Sequence, residues 1–270
     1  MAVTRFQSDV LRLLAQQRRQ RGESYVAGGV ALNALLAAPR RSRDIDLFHD
    51  TEAALRATWA ADQALLQTSG YDVTVLREAP SFVEAKVAQA SDATVMQWVR
   101  DSAYRFFPLI EDDLMGLALH PFDLATNKVL AMAGRLEVRD WIDVLNCDER
   151  LQPLGFLVWA ACGKDPGYNP KSLLAAAARM HFSKDEVGTL DFEGQTPDAS
   201  QLGLRWHTLL RDANAICGQL PAQHVGTCVV AQPELGLFRG NVHALQQALA
   251  ADGVMFHAGR IGGSWPRVKL

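Results

Sequence analysis

Asp44 and Asp46 stand two apart in Asp44-Ile45-Asp46-Leu47-Phe48, a run in which polar and apolar side chains alternate. On a strand that spacing sends both carboxylates off one face. Two neighbouring carboxylates repel unless a divalent cation lies between them. Hard oxygen ligands suit Mg²⁺, which keeps several waters and takes further ligands from substrate phosphates. Upstream lies Gly28-Gly29, with fourteen residues between Gly29 and Asp44. Two glycines at a strand-to-helix turn let the backbone approach a phosphate and aim its amides there. Taken singly, the glycine pair is a tight turn and the aspartates are the solvated face of an edge strand. Taken together they describe a site for a nucleoside triphosphate and its magnesium.

The elements that must position these residues follow from the patterning. Phe6 to Gln20 reads as an amphipathic helix ended by Gly22. Tyr25-Val26-Ala27 is a short strand that meets the glycines, and a helix with Val30, Leu32 and Leu35 runs on towards Pro39. Asp44–Phe48 is the next strand, and Thr51 caps a long Ala/Leu-rich helix reaching about Thr68. Three β-like runs follow, Tyr71–Arg77, Phe82–Val87 and Thr94–Val99, joined by turns short enough to make antiparallel neighbours. A helix begins at Pro121 and reaches about Arg135, and another holds Arg139, Asp140, Trp141 and Asp143. Beyond Pro153 the chain reads as helical and Ala-rich, loop-rich from Gly188 to Gln201, and helical around Leu204–Leu220. Val254 to Leu270 holds four glycines or prolines and reads as irregular. The sequence predicts an α+β chain: a mixed sheet flanked by helices over residues 1–150 and a mainly helical domain over 151–270.

Composition bounds the function classes. Of 270 residues 49% are hydrophobic, enough for a real core, which excludes a disordered or fibrous chain. A formal charge of −3 provides no global basic field, so nucleic-acid binding would need a local patch. Residues 1–50 and 201–270 each carry +3, whereas 101–150 carry −5. No 18-residue apolar run exists, and the first dozen residues lack the apolar core of a signal peptide. Cys147, Cys162, Cys217 and Cys228 are scattered without ligand spacing, as expected of buried free thiols in a cytoplasmic protein. The seven histidines show no metal spacing, and His49 reads as capping a strand end. Arg40, Arg41 and Arg43 form a basic cluster that is either a solvated loop or a contact for triphosphate or RNA backbone. Lys128 reads either as a snorkelling surface lysine or as a site residue, and Arg139 could pair with Asp143 at i,i+4.

Gly28-Gly29 followed by Asp44-Ile45-Asp46-Leu47 resembles the signature of the DNA polymerase β-type nucleotidyltransferase superfamily. A second block, Asp123 to Ala131, then Arg135, then Arg139-Asp140-Trp141-Ile142-Asp143, is similar to its AbiEii/MenT toxin branch. The two blocks cover about residues 24–147, and the C-terminal half shows no resemblance. The resemblance implies transfer of a nucleoside monophosphate from a triphosphate to an acceptor hydroxyl, for example an RNA or tRNA 3′ end, in a toxin-like enzyme. It implies Mg²⁺ (or Mn²⁺) on Asp44 and Asp46, and phosphate contact by Gly28 and Gly29 with Ser42 and Arg43 beside them. Lys128 would reach the triphosphate or neutralise the transition state, and Asp143 or Asp140 would help order the site; an antitoxin protein is the implied partner. One departure stands out. Where the superfamily has a third carboxylate on a later strand, this chain has Gln97, so that Asp101, Glu84 or Asp92 substitutes, or the general base is absent. The other reading is a catalytically degenerate nucleotide- or protein-binding module of the same fold.

Overall fold

The carboxylate run forms the central strand of a sheet, with three strands on either side of it. In the computed structural model, which describes residues 3–266, the chain divides into two compact units. The first comprises residues up to Ala103 together with Leu109–His120, and the second comprises Tyr104–Pro108 together with Pro121 onward.

In the first unit α1 (Arg5–Arg21) starts at Thr4, whose side chain accepts from Gln7 N while Gln7 reaches back to the Thr4 amide. It ends at Gly22 in the left-handed conformation. Then come β1 (Tyr25–Ala27), α2 (Gly28–Leu35), β2 (Asp44–His49) and α3 (Glu52–Thr68), the last capped by Thr51. The meander β3 (Asp72–Ala79), β4 (Phe82–Gln89) and β5 (Asp92–Arg100) follows. After β6 (Tyr104–Arg105), which belongs to the second unit, β7 (Ile110–Asp112) and β8 (Gly116–Ala118) complete a seven-stranded sheet of order β3-β4-β5-β2-β1-β8-β7. The sheet is mixed: β2 runs parallel to β5 and antiparallel to β1, while β3, β4 and β5 are antiparallel neighbours.

The sheet has one dry face. Ile45, Leu47, Met96 and Trp98 are fully buried under α1 and α3 with Val10, Leu11, Leu14, Leu55 and Leu66. Such burial gives roughly 1.5–3 kcal/mol for each large side chain. Trp98 meets the Trp59 ring at 4.6 Å and donates its Nε1 proton to Asp62 at 3.0 Å, which satisfies the one polar atom of a wholly buried indole. Period-two alternation then obliges Asp44 and Asp46 to leave from the opposite face, where both are half-buried.

The second unit holds α4 (Pro121–Arg135), α5 (Val138–Arg150), α6 (Leu154–Ala161), α7 (Pro170–Ala177), α8 (Lys184–Gly188), α9 (Ala199–Gln219) and α10 (Val242–Ala250). It also contains β9 (Thr227–Ala231), β10 (Val254–Ala258) and β11 (Arg260–Ile261). Phe156, Trp159, Ile216, Leu220, Val229 and Leu245 pack one core there. The expectation of an irregular stretch from Val254 is corrected over Val254–Ile261. β10 pairs antiparallel with β9 over five residues, and β11 pairs with β6. Residues 267–270 of that stretch lie outside the described residues. Glycine content masked the strand, because Gly259, Gly262 and Gly263 punctuate it after the pairing segment rather than within it. Among the described residues no helix is long and apolar enough to cross a membrane. The four cysteines are free, Cys217 half-buried and the others buried; burial pushes Cys162 up to about 11 and Cys217 to about 12, and holds the Cys147 and Cys228 thiols well above their ordinary range.

Candidate active site

At the end of β1 the chain turns straight into α2, and the turn is possible because Gly28 adopts φ +63°. The same glycine is needed for a second reason. A Cβ there would lie 1.7 Å from Asp46 Oδ2, so the carboxylate rests directly on the Gly28 backbone. Ala27 pairs with Asp46 across β1 and β2, which brings the first turn of α2 beside the carboxylate row. Gly29 is as closely surrounded: a Cβ would lie 2.7 Å from Arg40 Nη2 and 2.7 Å from Ser42 Oγ. Arg40 is 3% exposed, Ser42 is half-buried, and the Arg43 side chain is exposed. The structure thus brings Gly28, Gly29, Arg40, Ser42, Asp44 and Asp46 together within the first unit. Arg40 stands out from the basic cluster of the sequence: it is buried beside Gly29, whereas Arg41 and Arg43 are exposed.

These residues fit a magnesium ion in kind and in number. Two carboxylates leave one face beside a helix N-terminus, and Mg²⁺ is held by one or two carboxylates with the rest of its shell from water and phosphate. Among the described residues no group of three or more His, Cys, Asp or Glu is placed to hold a metal ion.

The register shows what stands next to the pair. Asp46 faces Gln97 on β5, and Gln97 faces Glu84 on β4, so the three form one row across three strands. Gln97 Nε2 donates to Glu84 Oε1 at 2.9 Å. Glu84 therefore sits two strand spacings, roughly 10 Å, from Asp46 and is held by the glutamine between them. The other two acidic candidates lie elsewhere: Asp92 pairs with Gln89 at the far end of β5, and Asp101 lies past the other end, its amide bonded to His49 O. The Gln97–Glu84 link was hidden in the sequence, because it depends on a cross-strand register between residues thirteen apart.

His49 closes β2. It is fully buried, its Nδ1 is 3.3 Å from Val99 O, and its Nε2 is buried without a hydrogen-bond partner. Burial pushes its pKa down to about 4; the Val99 carbonyl opposes this and the Arg18 charge adds to it. It ends the strand as a neutral ring.

Lys128 and Asp143 lie in the second unit, on α4 and α5, and both are buried. Lys128 Nζ is 2.9 Å from Asp140 Oδ1 and 3.0 Å from Asp143 Oδ2, and Arg135 grips Asp140 at 2.6 and 2.9 Å. Burial alone would raise the Asp140 pKa, but the Arg135 hydrogen bond and the Lys128 charge outweigh it, so the carboxyl ends below its ordinary range. Two expectations are corrected. Lys128 is no surface lysine, since two inward carboxylates draw it into the helix packing. Arg139 pairs with Glu137 at 2.6 Å instead of Asp143, which points inward to Lys128. A second buried pair, Lys164–Asp123 at 2.8 Å, holds the Phe106 and Phe107 amides, which both donate to Asp123.

No protein-family model and no curated protein matches the chain. Solved structures do. JHP933 from Helicobacter pylori superimposes with a TM-score of 0.54 at 13% identity, covering 80% of this chain and 95% of that one. MenT4, a nucleotidyltransferase toxin from Mycobacterium tuberculosis, gives 0.52 at 17% identity over 81% and 85%. A candidate nucleotidyltransferase from H. pylori gives 0.50 at 14% identity over 80% and 96%. The resemblance read from two short motifs thus extends over four-fifths of the chain as a shared backbone, and the fold of this protein is the α+β, mixed-sheet fold of MenT-like nucleotidyltransferases.

Proposed function

We propose that the protein is a Mg²⁺-dependent nucleotidyltransferase that moves a nucleoside monophosphate from a triphosphate to an acceptor hydroxyl, with release of pyrophosphate. The observation that carries this reading is the Asp46 carboxylate seated on Gly28, which ties the metal-type carboxylates to the phosphate-type glycine turn. Mg²⁺ (or Mn²⁺), held by Asp44 and Asp46, would supply charge neutralisation at the phosphates. The chain's own groups do the rest. The amides at the start of α2 and the Ser42 hydroxyl bind phosphate oxygens, the buried Arg40 guanidinium adds a fixed positive charge, and Arg43 meets the triphosphate from its exposed position. Phosphoryl-type transfer depends mainly on such positioning and charge.

Glu84 is the carboxylate in the Asp46 row, and in this reading it accepts the acceptor's proton. Gln97 cannot take a proton; it orients Glu84. Lys128 takes its assignment to the triphosphate, and Asp143 its ordering role, from the resemblance. The acceptor is an RNA 3′ end such as that of tRNA, the protein acts as a toxin, and its partner is an antitoxin; these three parts rest on the likeness to the MenT branch. The second reading, a degenerate binding module, is favoured by Gln97 standing beside Asp46.

Calorimetric titration with each nucleoside triphosphate, with and without Mg²⁺, tests the site. Binding that requires Mg²⁺ and is lost in Asp44→Ala/Asp46→Ala supports the proposal. Metal-independent binding, or binding unchanged in the double variant, overturns it.

A further inference from the structure

The loop that delivers Ser42, Arg43 and Asp44 is held from behind the sheet by one side chain. Gln7 lies in the first turn of α1, 2% exposed, on the dry face opposite the carboxylates. Its Nε2 is 3.0 Å from Ser42 O, 3.0 Å from Arg43 O and 3.4 Å from Thr94 Oγ1. The buried Thr94 hydroxyl itself donates to Arg43 O at 3.0 Å. Arg43 O therefore faces two donors, one from α1 and one from β5, immediately before the first carboxylate. Gln7 Oε1 is meanwhile occupied by the Thr4 amide at 3.0 Å, which fixes the side-chain amide with its N–H₂ toward the loop.

We infer that Gln7, with Thr94, is a positioning residue for the nucleotide site, clamping the 42–43 backbone so that Ser42 and the β2 carboxylates present one fixed geometry to a metal-bound triphosphate. The inference rests on the function proposed above. The chemistry of the position favours it over a purely structural role. A helix needs only an acceptor at the third residue of its capping box, and Glu would serve that end as well as Gln. Glutamine adds the donor, and the donor is spent entirely outside the helix, on carbonyls 35 and 36 residues away. Without that donor the Ser42 carbonyl would lose this hydrogen bond at the edge of the sheet, while Arg43 O would keep the Thr94 hydroxyl.

The test separates the cap from the clamp. Gln7→Glu keeps the acceptor for Thr4 and loses the donor; Thr94→Val removes the second donor at nearly constant volume; Thr4→Val weakens the cap and leaves the clamp. Mg²⁺·NTP affinity is titrated for each, beside the melting temperature and hydrogen exchange of the 42–46 amides. The expected result is a weakening of about 10- to 100-fold in Gln7→Glu, the usual cost of losing a group that orients metal-binding residues. Thr94→Val should weaken binding less, and Thr4→Val should lower the melting temperature without moving the affinity. The introduced carboxyl at position 7 can donate when protonated, so affinity in Gln7→Glu should recover in part as pH falls towards 5, against the wild-type trend. Wild-type affinity and wild-type exchange at 42–46 in Gln7→Glu overturn the clamp. So does an affinity loss in Thr4→Val equal to that in Gln7→Glu, because stability alone would then explain both. A wild-type protein that binds no Mg²⁺·NTP sinks the proposed function itself, whatever the exchange shows.

Discussion

Gly28→Ala would separate the two reasons for a glycine at the β1–α2 turn. The first reason is conformational: at φ +63° an alanine is strained by about 1–2 kcal/mol. The second is steric: the new methyl would stand 1.7 Å from Asp46 Oδ2 and 2.6 Å from its carboxyl carbon, so the carboxylate must retreat by more than an ångström. Gly22→Ala supplies the control within the same unit. Gly22 has φ +66° and nothing within 4 Å of its would-be Cβ, so it carries the strain without the collision. Both variants should therefore lose about 1–2 kcal/mol in urea unfolding, with Gly28→Ala losing somewhat more. Only Gly28→Ala should weaken Mg²⁺·NTP binding, by about 100-fold, since the group displaced is a proposed metal ligand. Equal affinities in Gly28→Ala and wild type would refute the argument that Asp46 is held by its seat on the glycine. An equal loss in Gly22→Ala would show that backbone strain alone had moved the site.

Other outcomes follow from the same structure. Glu84→Gln should lower the transfer rate by about 10²–10⁴-fold with nucleotide affinity kept, as for loss of a general base, while Asp92→Asn and Asp101→Asn leave the rate unchanged; steady-state kinetics of the three variants read this directly. Lys128→Met would remove the cation that the buried Asp140 and Asp143 share, and should destabilise the protein by about 3–5 kcal/mol in urea unfolding. The neutral, buried His49 binds its proton only near pH 4, whereas the unfolded chain binds one near 6.5. The unfolded state thus gains protons first as pH falls, so stability is full above about 6.5 and lost between 6.5 and 4. Urea midpoints should report a loss of about 2 kcal/mol at pH 5, which His49→Gln abolishes.

The sequence made the first half legible because its signals are local. The alternation in Asp44–Phe48, the cap at Thr51 and the short turns between β3, β4 and β5 each depend on residues within a few positions, and each element stands where they put it. What escaped is non-local. Gln7 reads as an ordinary amphipathic-helix residue until its amide is seen on carbonyls 35 residues away. Gln97 reads as a missing carboxylate until the register sets Glu84 beside it. Asp143 offered Arg139 a partner one turn away, but burial between α4 and α5 made Lys128 the better one, since a desolvated carboxylate needs a desolvated cation. β9 and β10 pair across more than twenty residues, and their short apolar runs carry no sign of each other.

Nucleotidyl transfer itself is read by incubating the protein with each α-³²P-labelled nucleoside triphosphate, Mg²⁺ and total tRNA, beside Asp44→Ala/Asp46→Ala. Label is expected in RNA with the wild type alone, and only when Mg²⁺ is present. Label transferred equally by the double variant, or no transfer to any acceptor by a wild type that binds the nucleotide, would contradict the proposed function.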